Sequence, residues 1–198
     1  LSVISEATLS EDSEIQVKVW DPYVRFSHWT VVILFTVAWF TEDHYMLAHV
    51  WSGYFIGLLV ALRVGWGFIG PVHARFTDFV HGPTVVINDL KDTVALKPAH
   101  TMGHSPLAGA MIMVLLFGLC LVVGSGVIGY GMSWGAGPFG FLKAIFGRSL
   151  GKALLEVHEV LASGFLALIA IHFCGVILSS LLHGENLIWS MITGKKRR

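Results

Sequence analysis

The residues with the clearest capacity for chemistry are His158 and His172, fourteen positions apart in the apolar stretch from Glu156 to His183. On an α-helix this spacing gives about 21 Å of rise and leaves the two rings roughly 40° apart in azimuth, on nearly one face. The offset approaches the thickness of a bilayer's hydrocarbon core. Ionisable side chains are expensive inside a membrane, so each imidazole calls for a partner. Neutral imidazoles are good ligands for metal centres. Two of them on one face define two stacked sites, each still lacking a second ligand.

Composition says which elements must carry these rings. The 198-residue chain is 55% hydrophobic and only 13% charged, with a mean hydropathy of +0.71. A soluble domain averages roughly 25% charged residues, so this chain cannot cover a soluble surface and reads as an all-α integral membrane protein. A formal net charge of zero gives no indication of nucleic-acid binding. Cys120 and Cys174 both fall in apolar runs and are expected to be small buried hydrophobes. Neither CxxC nor CxxCH occurs, so covalent haem attachment of the c type is not indicated. The N-terminal residues are acidic and polar, and no cleavable secretory signal is read ahead of the first apolar segment.

Four spans are expected within a single domain over residues 19–194. It lies between an N-terminal tail (1–18) with Glu6, Glu11, Asp12 and Glu14, expected to be flexible, and a basic tail (195–198). The first span follows Arg25-Phe26-Ser27-His28-Trp29 and ends near Phe40, with Trp20, Tyr23 and Arg25 as interfacial anchors. The second runs from about His49 to Ile69, with Gly53 and Gly57 four and eight residues after the histidine on its face. Residues 71–104 form a polar loop with a short amphipathic helix near 84–96. Ser105 and Pro106 then suit the N-cap and N1 positions of the third span, Leu107 to about Ile128. Glycine-rich residues 129–152 are expected to be a loop with a short interfacial helix near 139–146, before the fourth span.

The fold class is therefore a four-helix transmembrane bundle. Lys18, Arg25, Arg75, Lys91, Lys97 and the terminal Lys195-Lys196-Arg197-Arg198 share one side, against Lys143, Arg148 and Lys152 on the other. The positive-inside rule puts both termini in the cytoplasm. In this topology His28 falls at the inner level with His172, and His49 at the outer level with His158. Two imidazoles on facing helices, with a bare glycine strip at Gly53, suit a flat cofactor with two axial positions, such as haem iron. Two bis-histidine sites would relay electrons across the bilayer. Arg63, fourteen residues after His49, and Arg25, one turn before His28, are candidates to pair with haem propionates. His44 is a rival to His49 but sits in a polar turn. His183 lies at a membrane exit, facing headgroups or a quinone. His73, His81, His100 and His104 are loop residues, with His104 a candidate proton donor beside a quinone.

Taken in order, Arg25-Phe26-Ser27-His28-Trp29, His49 with Gly53, Gly103-His104-Ser105-Pro106 and the His158/His172 pair resemble the prokaryotic cytochrome b561 family. The likeness is strongest to its branch of nickel–iron hydrogenase b-type cytochrome subunits. The resemblance implies a bundle in the bacterial cytoplasmic membrane, two non-covalent b haems on His28, His49, His158 and His172, a quinone as substrate, and a periplasmic redox partner. The short outer turn from Thr41 to Ala48 departs from the hydrogenase subunit, which makes a soluble cytochrome c as reasonable a partner as a hydrogenase. Some relatives act alone as superoxide:quinone oxidoreductases, a second expectation. A histidine-using metal transporter would need a polar path, and the third span offers none.

Overall fold

The computed structural model describes residues 16–18, 20–97 and 105–197. Four of its helices are long and apolar enough to cross a membrane: α1 (Pro22–Thr41), α2 (Met46–Ile69), α5 (Pro106–Trp134) and α6 (Leu142–His183). Between α2 and α5 the chain makes a 3-10 turn at Val72–Ala74 and two short helices, α3 (Phe76–Phe79) and α4 (Pro83–Val94). A last helix, α7 (Leu187–Thr193), follows α6. The only strands among the described residues are β1 (Gln16–Lys18) and β2 (Lys195–Arg197), which pair antiparallel.

Local chemistry explains the helix starts. The Asp21 side chain accepts from the backbone N–H groups of Tyr23 (2.9 Å) and Val24 (3.2 Å), and Pro22 follows as the first helical residue. The expected interfacial turn at Trp20–Tyr23 is thus the capped beginning of α1. Ser105 caps α5 through the N–H of Ala108 at 3.3 Å, with Pro106 next, as its sequence indicates.

Residues 129–152, expected to be a loop with a short interfacial helix near 139–146, do carry a short helical segment from Leu142 to the break at Gly147, but the rest is more helical than expected. α5 continues to Trp134, and α6 already begins at Leu142. Glycine is tolerated in membrane helices because it permits close approach. A Cβ on Gly129 would lie 2.9 Å from Leu155 Cδ2, and one on Gly151 would lie 2.7 Å from Ser133 N. Gly129 and Gly151 belong to the contact surface of α5 on α6, the most extensive helix pair among the described residues, whereas Gly135 and Gly137, with φ of 71° and 69°, do form the turn after α5. Within α6 the break is Gly147, whose φ of 78° interrupts the helix and separates a short leading segment from the membrane-length part.

The buried core is one apolar layer across the bundle, formed by Ile56, Val60, Leu119, Val122 and Phe165, with Phe35 packed against it. Phe35, Ile56 and Phe165 lie seven residues after His28, His49 and His158, and Phe165 lies seven before His172. The layer therefore sits midway between the two histidine levels. The Phe35 and Phe165 rings meet at 5.4 Å. Cys120 and Cys174 are both exposed on the outer surface of the bundle, not buried as expected. Their helix faces point away from the neighbouring spans.

Both termini are fastened at one end. Besides the ribbon, Trp20 Nε1 donates to Ser190 Oγ (3.2 Å) and the Trp20 N–H to the Gly194 carbonyl (3.2 Å). Arg25 Nε donates to the Met191 carbonyl (3.3 Å), and its Nη2 donates to the Ile192 carbonyl. A cation on the last carbonyls of α7 is favourable. Part of each expected tail is drawn into this clamp, and residues 1–15 lie outside the described residues. Losing two charge-assisted bonds at a half-exposed site costs about 1–2 kcal/mol. Arg25→Ala should therefore raise amide hydrogen exchange over 187–193 by about tenfold, with exchange in the four spans unchanged.

Candidate functional site

The end of the bundle away from the termini holds the better-defined site. His49 is in the first turn of α2 and His158 is on α6, with ring centres 6.0 Å apart and planes at 89°. The His49 Nδ1 lies 2.9 Å from the Ala38 carbonyl of α1. The His158 Nδ1 lies 2.8 Å from the Val122 carbonyl of α5. A carbonyl can only accept, so each Nδ1 carries the hydrogen and each Nε2 keeps its lone pair. No hydrogen bond to either Nε2 is made among the described residues. This is the arrangement that orients an imidazole as a metal ligand.

The two rings line a cavity of about 520 Å³ together with Gly53, Gly126, Tyr54 and Tyr130. A Cβ on Gly53 would meet nothing within 4 Å, so the bare strip expected there faces open space. Gly57 behaves differently: a Cβ there would come within 3.0 Å of Val123 Cγ1, which marks it as a helix-packing residue. Gly126 is the floor under His158, where a Cβ would lie 2.8 Å from Cε1 and 2.9 Å from Nδ1. The fit to a flat bis-imidazole cofactor can be judged by length. Two metal–nitrogen bonds of about 2 Å, with about 1 Å from each nitrogen to its ring centre, span about 6 Å. The spacing, the tautomers and the cavity agree with it. His44, the rival to His49, is exposed.

At the termini end, His28 on α1 and His172 on α6 lie within electrostatic range of each other. His28 Nδ1 is buried with no hydrogen-bond partner among the described residues, and its ring packs edge-on to Trp29 at 5.4 Å. Among the described residues this pair makes none of the backbone bonds that fix the other. Arg63 donates to the Ala74 carbonyl (3.3 Å) and lies 5.7 Å from the centre of the Phe76 ring. Arg25, the other propionate candidate, directs its guanidinium to the carbonyls of α7. His183 Nδ1 lies 2.9 Å from its own helix's Ser179 carbonyl, and His81 Nδ1 lies 3.0 Å from the Phe79 carbonyl. His100 and His104 lie outside the described residues.

Sequence reasoning misses the role of α5. It carries no histidine, yet it supplies the Val122 carbonyl and the Gly126 floor to His158. The available signal is the four-residue step from Val122 to Gly126, which puts both on one face.

A family model described as prokaryotic cytochrome b561 matches residues 19–194. A probable Ni/Fe-hydrogenase B-type cytochrome subunit from Bradyrhizobium diazoefficiens is 24% identical, covering 91% of this chain and 86% of that relative. No solved structure matches the chain significantly. Gly126→Val would push methyl groups into the His158 ring and should lower the haem retained on purification by roughly half. Gly124→Val, which faces open space, should leave it unchanged, as read from the haem-to-protein absorbance ratio.

Proposed function

The chain belongs to the prokaryotic cytochrome b561 family, and we infer that this membrane b-type cytochrome carries electrons across the bilayer on two haems. His49 and His158 hold one haem and His28 and His172 the other. The observation that carries this reading is the outer pair, with ring centres 6.0 Å apart and both Nδ1 atoms bonded to carbonyls. The level match of His28 with His172 extends it to the second site. Haem iron with two imidazole ligands has no open position and exchanges single electrons.

The protein's own contribution is positional. Val122 and Ala38 hold the outer imidazoles in the ligating tautomer, and Gly53 and Gly126 keep side chains out of the cavity. Phe35 and Phe165, between the levels, keep that region apolar. The excess of Lys and Arg on the side of the termini supports placing that side in the cytoplasm of a bacterial cell. A membrane quinone exchanges electrons at one end. A periplasmic protein does so at the other, either a hydrogenase, as the relative's name indicates for that protein, or a cytochrome c.

Detergent-purified protein should bind two b haems per chain. His172→Ala should lower that to one while leaving the outer haem's spectrum intact. A pyridine haemochromogen assay against protein concentration decides it, and two haems retained in His172→Ala would refute the pairing.

A further inference from the structure

On the terminal side of His28, two buried hydrogen-bond donors lie together without acceptors among the described residues. Tyr23 Oη and Trp66 Nε1 are both buried, and neither has a hydrogen-bond partner among the described residues. Their rings lie 5.1 Å apart. Arg63 precedes Trp66 by three residues on α2, so the two share a face, and it lies within electrostatic range of Tyr23. The nearby carboxylate, Asp21, already receives two backbone N–H bonds as the cap of α1. An indole N–H can only donate and a guanidinium can only donate. Whatever satisfies both must be an acceptor. Arg63 already has the Asp21 carboxylate within electrostatic range and the Ala74 carbonyl as one acceptor, and an anion that also reached Tyr23 and Trp66 would give the two unpartnered donors an acceptor beside that cation. Tyr23 lies five residues before His28, about 7–8 Å along α1 toward the termini.

We propose that Tyr23, Arg63 and Trp66 form one oxyanion cradle, and that its ligand is a propionate carboxylate of the haem held by His28 and His172. This rests on the di-haem reading above and adds Tyr23 and Trp66 to Arg63 as residues that hold the inner group. The same chemistry would accept a lipid phosphate, and the two sources are separable. Neutralising a propionate favours the ferrous state, so the donors raise the inner haem's midpoint potential.

Potentiometric titration of the full chain in phospholipid nanodiscs tests this with Tyr23→Phe, which removes only the hydroxyl, and Trp66→Phe, which removes the indole N–H together with part of the ring. Each variant should retain both haems. Each should shift the inner haem about tenfold toward ferric, a fall of about 59 mV for a one-electron couple. In protein loaded with haem dimethyl ester, which has no free propionate, the parent and the variants should titrate alike. A variant shift that persists with the ester and disappears in phosphate-free maltoside micelles assigns the cradle to a lipid phosphate and overturns the propionate. Unchanged potentials in both variants, with both haems bound, overturn the cradle itself. Fewer than two haems in the parent protein overturn the di-haem reading and the cradle with it.

Discussion

The hydrogen bond from His158 to the Val122 carbonyl is the contact from which the rest of the site follows. Inside a bilayer an imidazole cannot leave a polar edge to water. Giving Nδ1–H to a carbonyl removes that liability and fixes which nitrogen is left for a metal. The bond also determines how close α5 and α6 must come. The ring can reach Val122 only if the residue one turn further along α5 has no side chain, and Gly126 fills that requirement. Gly118 beneath Phe165, Gly129 against Leu155 and Gly151 against Ser133 repeat the theme along the interface. The helix without a histidine therefore shapes the histidine sites as much as the helices that bear the rings.

The two ends of the bundle differ in kind. At the far end both imidazole Nδ1 atoms are already bonded to carbonyls and the cavity is formed, with the Tyr54 hydroxyl as a buried group lining it without a partner among the described residues. At the termini end the His28 Nδ1, the Tyr23 hydroxyl and the indole nitrogens of Trp29 and Trp66 are buried donors or acceptors without partners among the described residues. Unmade bonds of this kind destabilise a fold until something completes them. Stability at that end comes from elsewhere, through the strap of Trp20, Arg25, α7 and the terminal ribbon. Fastening both termini beside the less complete site limits how far its helices can separate.

Much of this is legible in the sequence, and the failures have physical causes. The four spans, the amphipathic helix seen at Pro83–Val94 and the Ser105-Pro106 cap follow from hydropathy and local side-chain chemistry. The outer pair is legible because helical rise and alternating direction place His49 and His158 at one level. The extent of α5 is not, because glycines that pack helices look the same in sequence as glycines that end them. Arg25 looks like an anion binder because its carbonyl partners lie more than 160 positions away. Cys120 and Cys174 show that, in a bilayer, an apolar context does not say which way a residue faces.

The layer of Phe35, Ile56, Val60, Leu119 and Phe165 holds the two histidine levels apart, and that separation has an electrical meaning. About 21 Å of helical rise is roughly two-thirds of a hydrocarbon core about 30 Å thick. A charge moved across the whole membrane does work of about 2.3 kcal/mol for each 100 mV. An electron passed between these levels would therefore work with or against about two-thirds of the transmembrane voltage, about 1.5 kcal/mol per 100 mV. The direction of net flow would then depend on the energisation of the membrane as well as on the chemistry at either end.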